Sequence, residues 1–241
     1  MKFRVERDVL AEAVAWAARA LPTRPPNPAA AGLLIKAEDG SLVLSSYDLE
    51  ATSEATIDAD VSDDGTTLVS GRLLADICRS LPAAPVQFEL NGTRAEITCG
   101  RANFTLPTLP VEDYPALPEV PTAVGTVDGS EFAAAAAQVS IAAGRDDNLA
   151  MLQGVRVEID GPELTLAATD RYRLAVRTLG WTPAAPIEPT AATIPARALS
   201  DAAKSFVGAD EVTIGLGTDE GTSGLAGFTA GACRQHALEP D

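Results

Sequence analysis

The chain has 241 residues, room for one large or two ordinary domains, and its 46% hydrophobic and 22% charged residues suit a packed core. No apolar run reaches the roughly 18 residues a membrane helix needs. The charged start Met-Lys-Phe-Arg-Val-Glu-Arg-Asp also lacks the apolar stretch of an export signal, so a cytoplasmic protein is expected. A net charge of −16 excludes gripping nucleic acid by bulk electrostatics, though not encircling it with a positive inner wall alone.

In chain order, an opening strand at Lys2–Glu6 leads into an alanine-rich helix with Leu10, Val14, Ala17 and Leu21 at helical spacing. Strands Leu33–Ala37 and Ser41–Ser46 follow, joined by the turn-forming Glu-Asp-Gly. A strand at Glu54–Ala59 ends in the acidic turn Ser62-Asp-Asp-Gly65. After it come a strand at Thr67–Ser70, a helix from Arg72 to Leu81, and strands at Val86–Leu90, Arg94–Thr98 and Asn103–Leu106. The proline-dense stretch from Leu109 to Pro121 is expected to be an extended linker.

The second half repeats the first. Asp48 in Leu-Val-Leu-Ser-Ser-Tyr-Asp aligns with Asp170 in Leu-Thr-Leu-Ala-Ala-Thr-Asp, 122 positions on, and Gly32 aligns with Gly154 at the same offset. Leu10 and Phe132, and the candidate helix caps Asp8 and Ser130, keep that offset too. Arg72-Leu-Leu-Ala-Asp-Ile-Cys-Arg79 answers Arg197-Ala-Leu-Ser-Asp-Ala-Ala-Lys204 at 125. The expectation is α+β: tandem homologous domains at 1–122 and 123–241, each with two helices packed on about eight short antiparallel strands. Beyond Gly231 the second copy shows no equivalent of the Asn103–Leu106 strand or of the linker, which leaves a sheet edge unpaired. Asn27 and Ala29-Ala30 stand where larger apolar residues would seal a buried strand, so weaker packing is expected there.

Cys78, Cys99 and Cys233 are widely separated and accompanied by the one histidine, His236, so reduced structural thiols are expected and no metal or cofactor. The carboxylate pairs Asp63-Asp64 and Asp146-Asp147 sit in polar, turn-like surroundings, and adjacent side chains diverge, so they suit solvated loops better than acid–base or metal chemistry. No nucleophile elbow, P-loop or dinucleotide fingerprint is present, and the chain is expected to be non-catalytic.

Phe104-Thr-Leu-Pro-Thr-Leu-Pro-Val-Glu-Asp-Tyr-Pro115, Ala167-Ala-Thr-Asp-Arg-Tyr-Arg-Leu174 and Leu-Pro-Thr-Arg24-Pro-Pro resemble bacterial sliding clamps, the beta subunit of DNA polymerase III, and the likeness runs to about residue 230. The resemblance implies tandem clamp domains of which the third is absent here, and a homo-oligomeric ring around duplex DNA held without regard to sequence. It also implies polymerase and clamp-loader subunits as partners, with the polymerisation done by those partners.

Arg72 and Arg79 lie seven apart on one helix face, and Arg197 and Lys204 repeat the spacing. With Arg24 and Arg145 on neighbouring loops they are the expected phosphate contacts. By resemblance, Leu152, Thr169, Arg171, Tyr172, Arg173 and Leu174 form one wall of an apolar groove for short partner peptides. Two other organisations stay open: a ring-incompetent relative that only binds proteins, and a ring of three two-domain chains.

Overall fold

The computed structural model describes residues 1–22, 25, 27–49, 51–119, 121–217, 225–231 and 233–238. The chain forms two units, Met1–Leu117 and Pro118–Asp241. In the first, β1 (Lys2–Val5) and α1 (Arg7–Ala17) precede the strands β2 (Gly32–Glu38), β3 (Ser41–Tyr47), β4 (Ala51–Asp58), β5 (Asp60–Asp63) and β6 (Gly65–Ser70). Then come α2 (Gly71–Ser80), β7 (Val86–Asn91), β8 (Arg94–Cys99) and β9 (Ala102–Leu109). The second unit runs β10 (Ala123–Asp128), α3 (Gly129–Ser140), β11 (Gly154–Asp160), β12 (Glu163–Thr169), β13 (Leu174–Gly180), β14 (Thr182–Pro183) and β15 (Thr190–Pro195). It continues with α4 (Ala196–Ser205), β16 (Glu211–Leu216), β17 (Leu225–Ala230) and β18 (Cys233–Leu238).

The repeat is structural, element by element. α1 and α3, β2 and β11, and β3 and β12 begin 122 residues apart; β6 and β15, α2 and α4, and β7 and β16 begin 125 apart. The last two strand pairs, β8 with β17 and β9 with β18, begin 131 apart. That final step corrects the expectation for the C-terminus. Cys233–Leu238 is a strand in antiparallel register with β17, from Leu225↔Leu238 to Ala230↔Cys233, so β17 is paired on both sides. Sequence reading missed it because Cys-Arg-Gln-His-Ala-Leu carries little apolar alternation, and pairing to β17 overrides that weak local preference.

Strands form where alternation buries one face. In β11, Val155, Val157 and Ile159 point inward while Arg156, Glu158 and Asp160 face out, and Leu164 and Leu166 of β12 meet them in register. Leu33, Ile35, Leu42 and Leu44 do the same in β2 and β3. The β2–β3 turn is tight, with Asp39 and Gly40 both at positive φ (51° and 78°), as the Asp-Gly pair suggests. In the first unit the strand order is β4-β3-β2-β6-β9-β8-β7-β1-β5, with β9 as the bridge: Ala102–Pro107 pairs with β8, and Thr108 and Leu109 pair with β6. The second unit has β13-β12-β11-β15 and β14-β10-β16-β17-β18. α1 buries Leu10, Ala13, Val14 and Ala17 and packs on α2 and β4; α3 packs on α4, β12 and β13. Stacked rings of Phe3 and Phe88 (4.7 Å between centroids) and tilted Phe132 and Phe228 (5.3 Å) close the two cores.

Three local expectations change. The helix caps are Glu6 and Asp128, two residues before Asp8 and Ser130; the Asp128 carboxylate accepts from the Glu131 amide at 2.8 Å, whereas Glu6 makes no side-chain cap. The acidic Ser62–Gly65 turn is largely strand, since Asp60–Asp63 forms β5 against β1. Asn27 does not weaken the packing. Its Oδ1 accepts from the Ala30 amide at 2.8 Å, and Ala29 and Ala30 are each only 4% exposed, in a short 3-10 turn beneath Gly32. A side chain at Gly32 would meet Leu68 Cδ1 at 2.4 Å and the Ala29 carbonyl oxygen at 2.8 Å, so the seal is made by small residues.

Candidate functional site

Two surfaces gather the residues singled out by sequence. The first is the helix side of each unit. Along α2, Arg72 and Arg79 line one depression of about 380 Å³ together with Ala15, Ala18 and Arg19 of the neighbouring α1 segment. Arg72 Nη2 donates to the Pro22 carbonyl at 3.0 Å; Arg79 Nε donates to the Ala75 carbonyl at 3.3 Å and its guanidinium pairs with Asp76. Arg19, which sequence reading missed, lies over the Trp16 ring at 5.2 Å; the i,i+3 spacing of Trp16 and Arg19 was the available signal. Arg24 lies outside the described residues.

In the second unit the corresponding face divides. Arg145 and Arg197 are exposed and line one cavity of about 510 Å³, bounded by Ala137, Ser140, Gly144 and Ser200. Lys204 stands apart from it, paired with Asp201 at 3.0 Å. Seven-residue spacing puts Arg197 and Lys204 on one stripe, but of the two only Arg197 lines the cavity, whose α4 residues are Ala196, Arg197 and Ser200.

The second surface is the tip and outer face of the β11–β13 sheet. Leu152, Thr169 and Leu174 line one pocket of about 270 Å³, with Met151, Ala167 and Arg156 around them. Arg171, Tyr172 and Arg173 do not line it; they form the β12–β13 turn. There the Asp170 carboxylate accepts from the Tyr172 amide (3.1 Å), the Arg173 amide (3.0 Å) and Arg173 Nε (2.9 Å). The Thr169 hydroxyl donates to the Arg173 carbonyl at 2.7 Å, and Arg171 sits at φ 79°. Partial burial pushes the Asp170 carboxyl up, but backbone hydrogen bonds from Arg173 and Tyr172, with the Arg173 guanidinium, outweigh it and hold the pKa below the usual carboxylate range. This Asx-type turn fixes where the strand beyond it begins.

Four large apolar side chains stay more than half exposed here: Met151 (73%), Tyr172 (90%), Leu174 (68%) and Val176 (56%). Leu174 pairs with Thr169 and Val176 with Ala167, so both point to the same outer face. Met151 and Val176 were missed by sequence reading, since one lies in an irregular turn and the other reads as an ordinary strand residue. Exposed apolar side chains gathered on one sheet face are a common character of interaction surfaces.

The remaining features are structural. Among the described residues no group of three or more His, Cys, Asp or Glu side chains is arranged to hold a metal, and Cys78 and Cys99 are buried thiols. Burial, with Cys99 nearby, pushes the Cys78 thiol up to about 12, so it is a poor nucleophile. No helix among the described residues is long and apolar enough to cross a membrane.

Comparison with known proteins agrees with this architecture. Residues 1–118 match the family model for the DNA polymerase III beta subunit, N-terminal domain, and residues 126–234 match its central domain. A beta sliding clamp of Streptomyces coelicolor is 56% identical over 228 residues, covering 95% of this chain and 61% of the relative. A beta sliding clamp of Micrococcus luteus is 51% identical over 241 residues, all of this chain and 77% of the relative, so the similarity includes the C-terminal segment that sequence reading left unmatched. The crystal structure of a Pseudomonas aeruginosa sliding clamp bound to griselimycin superposes with a TM-score of 0.89 at 27% identity, over 100% of this chain and 65% of that one. The chain thus spans about six tenths of the Streptomyces relative's length.

Proposed function

The chain belongs to the DNA polymerase III beta subunit family, the bacterial sliding clamps, and from that premise we propose that it is a processivity element. It helps encircle duplex DNA without reading sequence and presents a docking groove to replication proteins. It performs no chemistry itself; nucleotide transfer belongs to the polymerase it tethers, in the cytoplasm. The observation that carries the reading is the repetition of cationic helix positions, Arg72 and Arg79 in one unit and Arg197 and Lys204 in the other, in a chain of net charge −16. Arg145 lies beside Arg197, and Arg24 joins them by resemblance. Guanidinium and ammonium groups on a helix face contact phosphates and leave bases unread, as a sliding device requires.

The docking groove is the pocket of Leu152, Thr169 and Leu174 with the exposed Met151 and Val176. Its occupants are polymerase, clamp-loader subunits and other proteins carrying a short motif with aliphatic and aromatic anchors. Arg171, Tyr172 and Arg173 frame its rim. The Pseudomonas relative, bound to griselimycin in its crystal, supports ligand capture by such a fold.

Light scattering over a concentration series, followed by retention on circular but not linearised duplex DNA, tests the clamp reading. A closed oligomer that slides off linear ends is the expected result. A monomer that captures peptides but leaves both DNA forms would replace it with the second reading, a protein-binding module, which the exposed apolar face favours.

A further inference from the structure

We propose that Arg156 is a specificity-determining residue of the docking groove: its guanidinium selects partner segments that carry an acidic side chain beside their apolar anchors. The inference rests on the docking reading above and adds the chemistry of the occupant.

Among the described residues lining the 270 Å³ pocket of Leu152, Thr169 and Leu174, Arg156 has the one charged side chain. Its place follows from strand register. Arg156 pairs with Thr193 on one side and Ala167 on the other, and Ala167 pairs with Val176. These four side chains form one row across the outer face of β15, β11, β12 and β13. Neighbouring strands lie about 4.8 Å apart, so Arg156 and Val176 stand about 10 Å apart with only the Ala167 methyl between them. A segment resting its apolar side chains on Leu174 and Val176 reaches the guanidinium within about three extended residues.

The guanidinium is held in place and has donors to spare. Its Nε donates to Glu158 Oε1 at 2.6 Å, and among the described residues its Nη amino groups make no hydrogen bond. The carboxylate next to the pocket-lining Thr169, that of Asp170, is taken up by the Tyr172 and Arg173 amides and by Arg173 Nε. A carboxylate on an arriving segment is thus the acceptor that the Nη groups lack, and a charge-assisted bond there is stronger than a neutral one. In a chain of net charge −16, whose long-range field repels acidic segments, only local donors of this kind make an acidic residue favourable.

The repeat shows that the fold does not ask for arginine at this position. Its equivalent in β2, 122 residues earlier, is the half-buried Leu34, which pairs with Ser45 as Arg156 pairs with Ala167. The same strand position accepts an aliphatic side chain in the unit where Tyr47 and Thr52, buried, stand in place of Thr169 and the exposed Leu174.

The test uses the full chain and short fluorescein-labelled peptide amides with fixed leucine and phenylalanine anchors, carrying Asp or Asn in turn at each remaining position. Fluorescence anisotropy gives the Asp-to-Asn affinity ratio. At one position or more, Asp is expected to bind about threefold more tightly, the scale of an exposed ion pair. The ratio is expected to fall to about one in Arg156→Leu. Glu158→Gln removes the competing carboxylate and is expected to raise it. Arg94→Gln removes an exposed arginine outside the pocket and leaves it unchanged.

Equal binding of Asp and Asn at every position overturns the proposal and leaves the docking groove standing. A preference that survives Arg156→Leu, or that is lost equally in Arg94→Gln, does the same. Glu158→Gln carries the test independently of how the leucine variant folds, since a ratio that it leaves unchanged or lowers also overturns the proposal. If no peptide binds at all, the docking reading falls and the proposal with it.

Discussion

Asp76 and Asp201 occupy equivalent positions on α2 and α4, and each pairs, three residues along, with the cation that closes its helix, Arg79 or Lys204. If those helix faces meet phosphates, each carboxylate holds back a cation that could otherwise displace a counterion from DNA. Asp76→Asn with Asp201→Asn releases both. The fold loses little, since exposed i,i+3 pairs of this kind contribute about 0.2–0.5 kcal/mol each. Duplex binding gains more. Each added phosphate contact steepens log K against log salt by about 0.9, so two steepen it by about 1.8. Over a fourfold change in salt, from about 200 to 50 mM, the variant's affinity advantage grows about tenfold. Fluorescence anisotropy of a labelled duplex at several KCl concentrations measures both slopes. Asp60→Asn with Glu96→Gln is the control, removing two exposed carboxylates from β5 and β8. An unchanged slope refutes the reasoning, as does an equal gain from the control pair, which would make the effect one of net charge rather than of the helix faces.

Other expectations are independent of DNA. Asp128→Ala costs about 1 kcal/mol in urea denaturation because a cap to the Glu131 amide is lost, whereas Glu6→Ala leaves the midpoint nearly unchanged because Glu6 makes no such bond. Gly32→Ala destabilises by about 1–3 kcal/mol, since the new methyl meets Leu68 and the Ala29 carbonyl oxygen and the backbone must shift. Burial pushes both the Cys78 thiol and the Tyr114 hydroxyl up to about 12, from ordinary values of 9.0 and 10.0; the Tyr47 backbone partly offsets the shift at Tyr114. Raised folded-state values mean that the stability they confer is complete below pH 9 and is lost as pH rises towards 12, so the urea midpoint falls over that window. A flat midpoint from pH 9 to 11 would contradict their burial.

Much of this protein is local in origin and so was legible in sequence. Alternation in Val155-Arg-Val-Glu-Ile159 specifies a strand with one buried face wherever it lies, and Asp39-Gly40 specifies a tight turn because glycine and aspartate tolerate positive φ. Duplication made these signals visible twice, and it carried the helix faces of Arg72, Arg79, Arg197 and Lys204 with them. What tertiary structure alone decided is who meets whom across distance. β9 joins β8 to β6 because Leu109 and Thr108 continue past the hairpin to pair with Leu68 and Val69. β18 is a strand because β17 offers it a ladder, not because its residues favour one. Lys204 leaves the cluster that Arg197 keeps, and Arg145, 52 residues away, takes its place, because Ile141, Gly144 and Arg145 beyond α3 line one cavity with Ala196, Arg197 and Ser200. Leu152 comes to Thr169 and Leu174 in the same way. Periodicity describes a segment's own faces; the convergence of side chains needs chain closure and register, which depend on the whole fold.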